Sequence, residues 1–239
     1  MKSLSGIVSS GLPGFDNVID SLRIGDNVVW QTDSISDYKI FTDAFVRKSL
    51  TDGRKVVYIR FGKHSPVIDD LSNIKVYKLS AEIGFESFAT QIYNIITDEG
   101  RYTFYVFDCL TELLEEWCSD LMLGNFFKIT CPYLYTLDTI AYFCLLRNRH
   151  SFSSIARIRE TTQLLIDIKN ISPQIYVHPL KVWERYSPTM FLPHKFSDNE
   201  FKTITSSVDA SFLSDTSVVK GFTGGQIDYW DKLFLKAES

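Results

Sequence analysis

Several absences narrow the reading before any motif is considered. The 239-residue sequence contains no run approaching the ~18 apolar residues that a membrane-spanning helix requires. Its N-terminus lacks a basic stretch followed by an apolar core, so no secretory signal is read there. Positive charge is in deficit. The 25 Lys and Arg against 29 Asp and Glu leave a formal charge of −4, which weighs against non-specific nucleic-acid binding as the main task. Cysteine is sparse, and Cys109, Cys118, Cys131 and Cys144 lie in apolar surroundings at spacings that match no zinc pattern. The expectation is buried free thiols in a reducing compartment, and hence a cytoplasmic protein. Internal repeats and low-complexity tracts are also missing.

What is present is an ordinary globular composition with a surplus of rings. Hydrophobic residues make up 45% and charged residues 23%, which suits one sizeable domain with an appendage. Aromatics reach 14%, with 18 Phe and 12 Tyr, enough to serve a contact surface as well as a core. A homo-oligomer or a partner protein is therefore expected.

The chain is organised around Gly11 to Lys63. Gly11-Leu12-Pro13-Gly14-Phe15-Asp16 leads through Gly25-Asp26 to an apolar run, Asn27-Val28-Val29-Trp30. A polar turn, Gln31 to Ser34, precedes a helical pattern with Ile35, Tyr38, Phe41 and Phe45 on one face. After Asp52-Gly53 comes a second apolar run, Lys55 to Ile59. Strand, turn, helix, turn and strand make a βαβ unit, which favours a parallel sheet with a right-handed crossover. Within it, Ser34-Ile35-Ser36-Asp37 reads as a capping box, with Ser34 capping the helix and Asp37 bonding back.

These residues resemble the opening of the KaiC-type branch of the RecA-fold (P-loop NTPase-like) ATPases. That family's phosphate turn is G-x-x-x-x-G-K-[ST], and the matching positions here run from Thr32 to Lys39. Neither glycine is present, Tyr38 stands at the phosphate lysine and Lys39 at the magnesium hydroxyl. The family's paired glutamates fall on Gly62 and Lys63. The second ATP-binding motif, an apolar strand ending in aspartate, is matched by Tyr102 to Asp108, followed by Cys109-Leu110-Thr111-Glu112-Leu113. The resemblance implies ATP with Mg²⁺ as ligands and Asp108 as the metal's anchor. The altered turn opposes both, because glycines are what let successive N–H groups converge on one anion, and Asp33 and Asp37 repel a triphosphate. The cofactor is left open. Similar degenerate KaiC-like regions occur beside phosphoenolpyruvate synthase-type proteins, and this chain resembles those too.

Further strands are expected at 74–79, 140–146, 162–169 and 174–182, the last two as a hairpin through Asn170 to Pro173. Helices are expected at 85–96, 110–122 and 151–160, with Gly124-Asn125 ending the second and Phe126 to Leu137 irregular. Candidate anion- or nucleotide-binding residues are Lys39, His64 in the loop after the second strand, and Arg147, Arg149 and His150 at a strand end. Lys181 and Arg185 join them through the family's Lys-x-Arg segment, here more widely spaced. The expected fold is α/β, a three-layer α/β/α RecA-like domain over 6–195 with a mostly parallel central sheet. Residues 196–239 would be an appendage packing on the domain or on a partner, with 227–236 a helix or extended anchor. The expected function is a non-hydrolysing binding, assembly or regulatory module. The alternatives are a divergent ATP-binding enzyme and an accessory protein of phosphoenolpyruvate synthase-type phosphotransfer.

Overall fold

The most apolar runs of the sequence form the middle of a sheet, because strands covered on both faces can carry no polar side. A computed structural model describes residues 6–117, 119–171, 173–209, 211 and 213. The chain divides into two units, 1–204 and 205–239. In the second, residues 207–209 are helical, and the expected segment at 227–236 lies outside the described residues.

In the first unit the order is β1 (Ile7–Val8), α1 (Pro13–Ile19), β2 (Leu22–Arg23), β3 (Asn27–Thr32), α2 (Ile35–Thr51), β4 (Val56–Arg60) and β5 (Lys75–Lys78). Then follow α3 (Phe85–Glu99), β6 (Phe104–Cys109), α4 (Leu113–Trp117), α5 (Asp120–Thr136), β7 (Ile140–Leu146) and α6 (Phe152–Thr161). The unit closes with β8 (Leu164–Ile171), β9 (Gln174–Val182), β10 (His194–Ser197) and β11 (Glu200–Thr203). Nine strands share one sheet in the order β11-β10-β9-β8-β3-β7-β6-β4-β5. From β8 to β5 all neighbours are parallel. The expected hairpin is present as the antiparallel pair β8–β9, and β10 and β11 extend that edge, also antiparallel.

Alternation along the strands sorts the core into two layers. Val28 and Trp30 pack with Phe15 of α1 and with Phe41 and Phe45 of α2. Val29, one residue out of phase, packs with Phe88 of α3, Phe126 and Phe127 of α5 and Ile158 of α6. Helices thus flank a large, mostly parallel sheet on both faces, compatible with a three-layer α/β/α arrangement. Rings dominate the first layer: Phe45 stacks on Tyr142 at 4.1 Å and Trp30 on Phe41 at 4.6 Å. Truncating such a buried ring to Ala costs about 3–5 kcal/mol.

Two expectations need correction. The helix expected at 110–122 is instead a 3-10 turn, Leu110–Glu112, then α4 and α5, and α5 runs through Gly124-Asn125 and Pro132 to Thr136. Local breaker residues are outvoted by packing. A Cβ on Gly124 would meet Arg157 Cδ at 3.2 Å, so glycine admits the side chain of α6, while Phe126, Phe127, Cys131 and Leu134 bury a full stripe.

The retained opening motif has a packing role. A Cβ on Gly11 would lie 2.2 Å from the carbonyl oxygen of Ala44, so only glycine lets this loop lie against α2. Pro13 starts α1, where its missing N–H costs nothing. Phe15 meets Trp30 at 5.2 Å, and Asp16 accepts the Ser10 N–H at 2.8 Å.

Candidate functional site

Adjacent strands β3 and β7 send their following helices, α2 and α6, to opposite faces of the sheet. Beyond their carboxyl ends lies the crevice where open α/β sheets collect ligands. The sequence supplies charged residues there in quantity, and the structure shows how each is used.

At the turn after β3, Ser34 caps α2, its Oγ accepting the Ser36 N–H at 3.3 Å. The closing arm differs from the expected box. The Ser34 N–H is donated to Thr32 Oγ1 at 3.4 Å, and Asp37 Oδ1 accepts from Asn170 Nδ2 of β8 at 2.8 Å. Asp37 therefore ties the helix to a neighbouring strand rather than only to its own cap.

Across the turn lies Arg147, whose guanidinium is fully committed. Nε reaches Asp33 Oδ1 at 2.9 Å, Nη1 reaches Asp167 Oδ1 at 2.5 Å, and Nη2 donates to the Ile168 carbonyl at 2.6 Å. Its backbone N–H donates to the Thr32 carbonyl at 2.8 Å. One arginine thus joins the turn after β3 to the ends of β7 and β8. Burial pushes the Asp167 carboxyl up, and the Arg147 charge opposes that shift. Burial also pushes the nearby Lys169 down, against the pull of Asp167.

The two residues at the altered positions point elsewhere. Tyr38 is wholly buried and donates to the Phe107 carbonyl at 3.3 Å. Lys39 pairs with Asp69 of the β4–β5 loop at 2.5 Å, and that partner raises its pKa. Lys39 and Arg147 do not converge.

Asp108 is also wholly buried. Its Oδ2 accepts the N–H groups of Phe61 at 2.9 Å and Gly62 at 2.8 Å, and its Oδ1 accepts the Tyr58 hydroxyl. Arg60 Nη1 stands 3.6 Å away and His64 Nε2 3.8 Å. Burial and the adjacent carboxylate together push the Tyr58 phenol well above its usual value. His64 accepts the Cys109 N–H at 3.5 Å, and its Nδ1 lies 2.6 Å from the Ser65 carbonyl. Gly62 makes room for that ring, since a Cβ there would come within 2.5 Å of it. Among the described residues no group of three or more His, Cys, Asp or Glu side chains could hold a metal ion.

His150 is held inside a relay that sequence reasoning missed. Its Nδ1 lies 2.9 Å from Asp120 Oδ1 and its Nε2 2.8 Å from Thr111 Oγ1, which in turn accepts the Leu146 N–H at 2.8 Å. Asp120 also accepts the Ser151 N–H at 2.7 Å. The relay fastens the starts of α5 and α6 to the end of β6. Burial lowers the His150 pKa, against the pull of Asp120. Arg149, its neighbour, is exposed.

Lys181 and Arg185 are at the other edge of the sheet. Lys181 donates to the Arg159 carbonyl near the end of α6 at 2.5 Å. Arg185 grips Asp26, just before β3, through two bonds of 2.6 and 3.0 Å. Of the seven candidate cations, then, Arg147, His150 and His64 stand along the carboxyl edge, Lys39 turns outward, and Lys181 and Arg185 are remote. Only the basic members of these clusters drew notice in the sequence. Their acidic partners, Asp33, Asp120 and Asp167, are far away along the chain, and no local spacing pairs them.

No protein-family model matches the sequence, and no curated protein matches it. No helix among the described residues is long and apolar enough to cross a membrane.

Proposed function

We propose that this chain is a RecA-like domain of KaiC type that does not turn over nucleotide and acts as a binding, assembly or regulatory module. One observation carries the reading. The crevice where a triphosphate would lie is crossed by Arg147, bound to Asp33 on one side and to Asp167 on the other. An incoming phosphate would have to displace two carboxylates from that guanidinium and then sit beside them. The capped turn supports the same view, because Ser34 already takes one of the N–H groups a phosphate would use. Asp108 supports it as well, since three direct donors occupy the carboxylate that would anchor a magnesium ion's waters.

Thermal unfolding with ATP, with and without Mg²⁺, tests this reading. A site with a dissociation constant one-hundredth of the ATP concentration would add about 2.7 kcal/mol of stability. For a domain of this size that is a rise in Tm of roughly 5–10 °C. The expected result is no rise and no phosphate release. A rise that needs Mg²⁺ would overturn the reading in favour of a divergent ATP-binding enzyme.

A further inference from the structure

A second feature of the carboxyl edge stands clear of the crevice. Between the ends of β4 and β5 and the start of α4 is a cleft of about 470 Å³. Phe61, Leu79, Ala81 and Leu113 give it an apolar lining, and Glu82, Glu112, Glu115 and Glu116 surround it against a single cation, Lys63. The Glu116 carboxylate, 3.3 Å away, raises the Lys63 pKa, and Glu115 and Glu82 add to the effect. One ammonium leaves an acidic surplus around a greasy floor.

Elsewhere the same chain carries the opposite shape. Asp120 and Ser151 are hydrogen-bonded, so the residues that follow them, Leu121 and Phe152, leave one junction together. Phe152 is 90% exposed and Leu121 50%, and exposed Arg149 lies two residues before the junction's serine partner is passed. An apolar knob with an arginine beside it complements an apolar cleft with a carboxylate rim. The arginine's stem can lie on the apolar floor while its head meets the rim.

We infer that a second copy of this chain docks here, its Arg149–Phe152 knob in the cleft formed by Phe61, Leu79, Glu82 and Glu115. This rests on the reading of the chain as an assembly module and names its contact surface. Because knob and cleft are different patches, the contact is head-to-tail, and repetition gives a ring or a filament.

Sedimentation equilibrium on the full chain tests it. Wild type should gain mass with concentration at low salt and lose it at high salt, where screening shortens from ~10 Å at 0.1 M to ~3 Å at 1 M. Glu82→Lys with Glu115→Lys disables the cleft; Arg149→Glu with Phe152→Ser disables the knob. All four side chains are exposed, and unchanged near-ultraviolet circular dichroism shows that the variants fold. Each variant alone should associate at least tenfold more weakly. Mixed in equal amounts, they should form two-chain complexes and nothing larger, since one keeps the knob and the other the cleft. A wild type that is monomeric throughout, association untouched by either variant, or a mixture that stays monomeric would each overturn the inference. A monomer that also ignores ATP would leave the non-hydrolysing reading standing and remove only this surface.

Discussion

The two edges of the parallel sheet each hold a buried arginine between a strand and a distant segment, but the two pairs are built differently. At the amino edge Arg185 and Asp26 are almost completely enclosed, with 1% and 2% of their side chains exposed. At the carboxyl edge Arg147 keeps 10% exposure, and of its two partners Asp33 is about one-third exposed. The first pair is sealed and single, whereas the second is shared and faces the crevice. The retained Gly25-Asp26 therefore belongs to the foundation of the sheet, where Asp26 also accepts the Arg23 N–H at 2.7 Å. A motif can be kept for its packing after the site it once announced has been filled.

The sharpest way to break this comparison is to remove each arginine. Arg185→Met leaves the Asp26 carboxylate enclosed without its partner, and about 3–5 kcal/mol of unfolding free energy should be lost in urea titrations. Pairing it with Asp26→Leu should restore much of that, because a matched apolar pair carries no desolvation penalty. Arg147→Met should cost less, about 2–3 kcal/mol, since Asp33 can regain water while Asp167 cannot. Equal losses at the two edges would contradict the distinction drawn here. Tyr58→Phe comes next. It removes the hydroxyl that donates to Asp108 and accepts the Val67 N–H at 3.1 Å, and the expected loss is about 1–3 kcal/mol.

The sheet was legible because its physics is local. Val28 to Trp30, Tyr105 to Phe107 and Tyr142 to Leu145 announce buried strands by composition alone, and the β8–β9 hairpin follows from two apolar runs around Pro173. Helix breaks were less legible. Gly124 and Pro132 carry breaker propensities that the packing of α5 overrides. The site was half legible. Arg147, His150 and Asp108 could be picked out by their place at strand ends, but what each one does depends on partners remote in sequence. Asp33 is 114 residues from Arg147, and Tyr58 is 50 from Asp108. Those pairings exist only once the strand order is known, and strand order is a property of the whole chain.

Acid sharpens the comparison last and most gently, because the two edges contain groups that titrate in opposite senses. At the amino edge the wholly enclosed Glu99 would be pushed up by burial. The ammoniums of Lys55 and Lys75, each at 2.5 Å, and the Tyr77 hydroxyl overcome that and hold it at about 2. Its contribution is complete above the ordinary carboxylate range and is lost only as pH falls through about 2. At the carboxyl edge burial lowers the His150 pKa, so the unfolded chain takes up a proton first. Stability there declines as pH drops below about 6.5, by at most about 1.4 kcal/mol per pH unit. His194, also lowered by burial, adds a similar loss from the β10 region. Urea unfolding at pH 7.5 and pH 5.5 should therefore show a drop of about 1 kcal/mol that His150→Gln reduces and Lys75→Met leaves unchanged. If Lys75→Met altered that drop, the amino edge would be titrating in the same window, and the separation of the two edges by pH would fail.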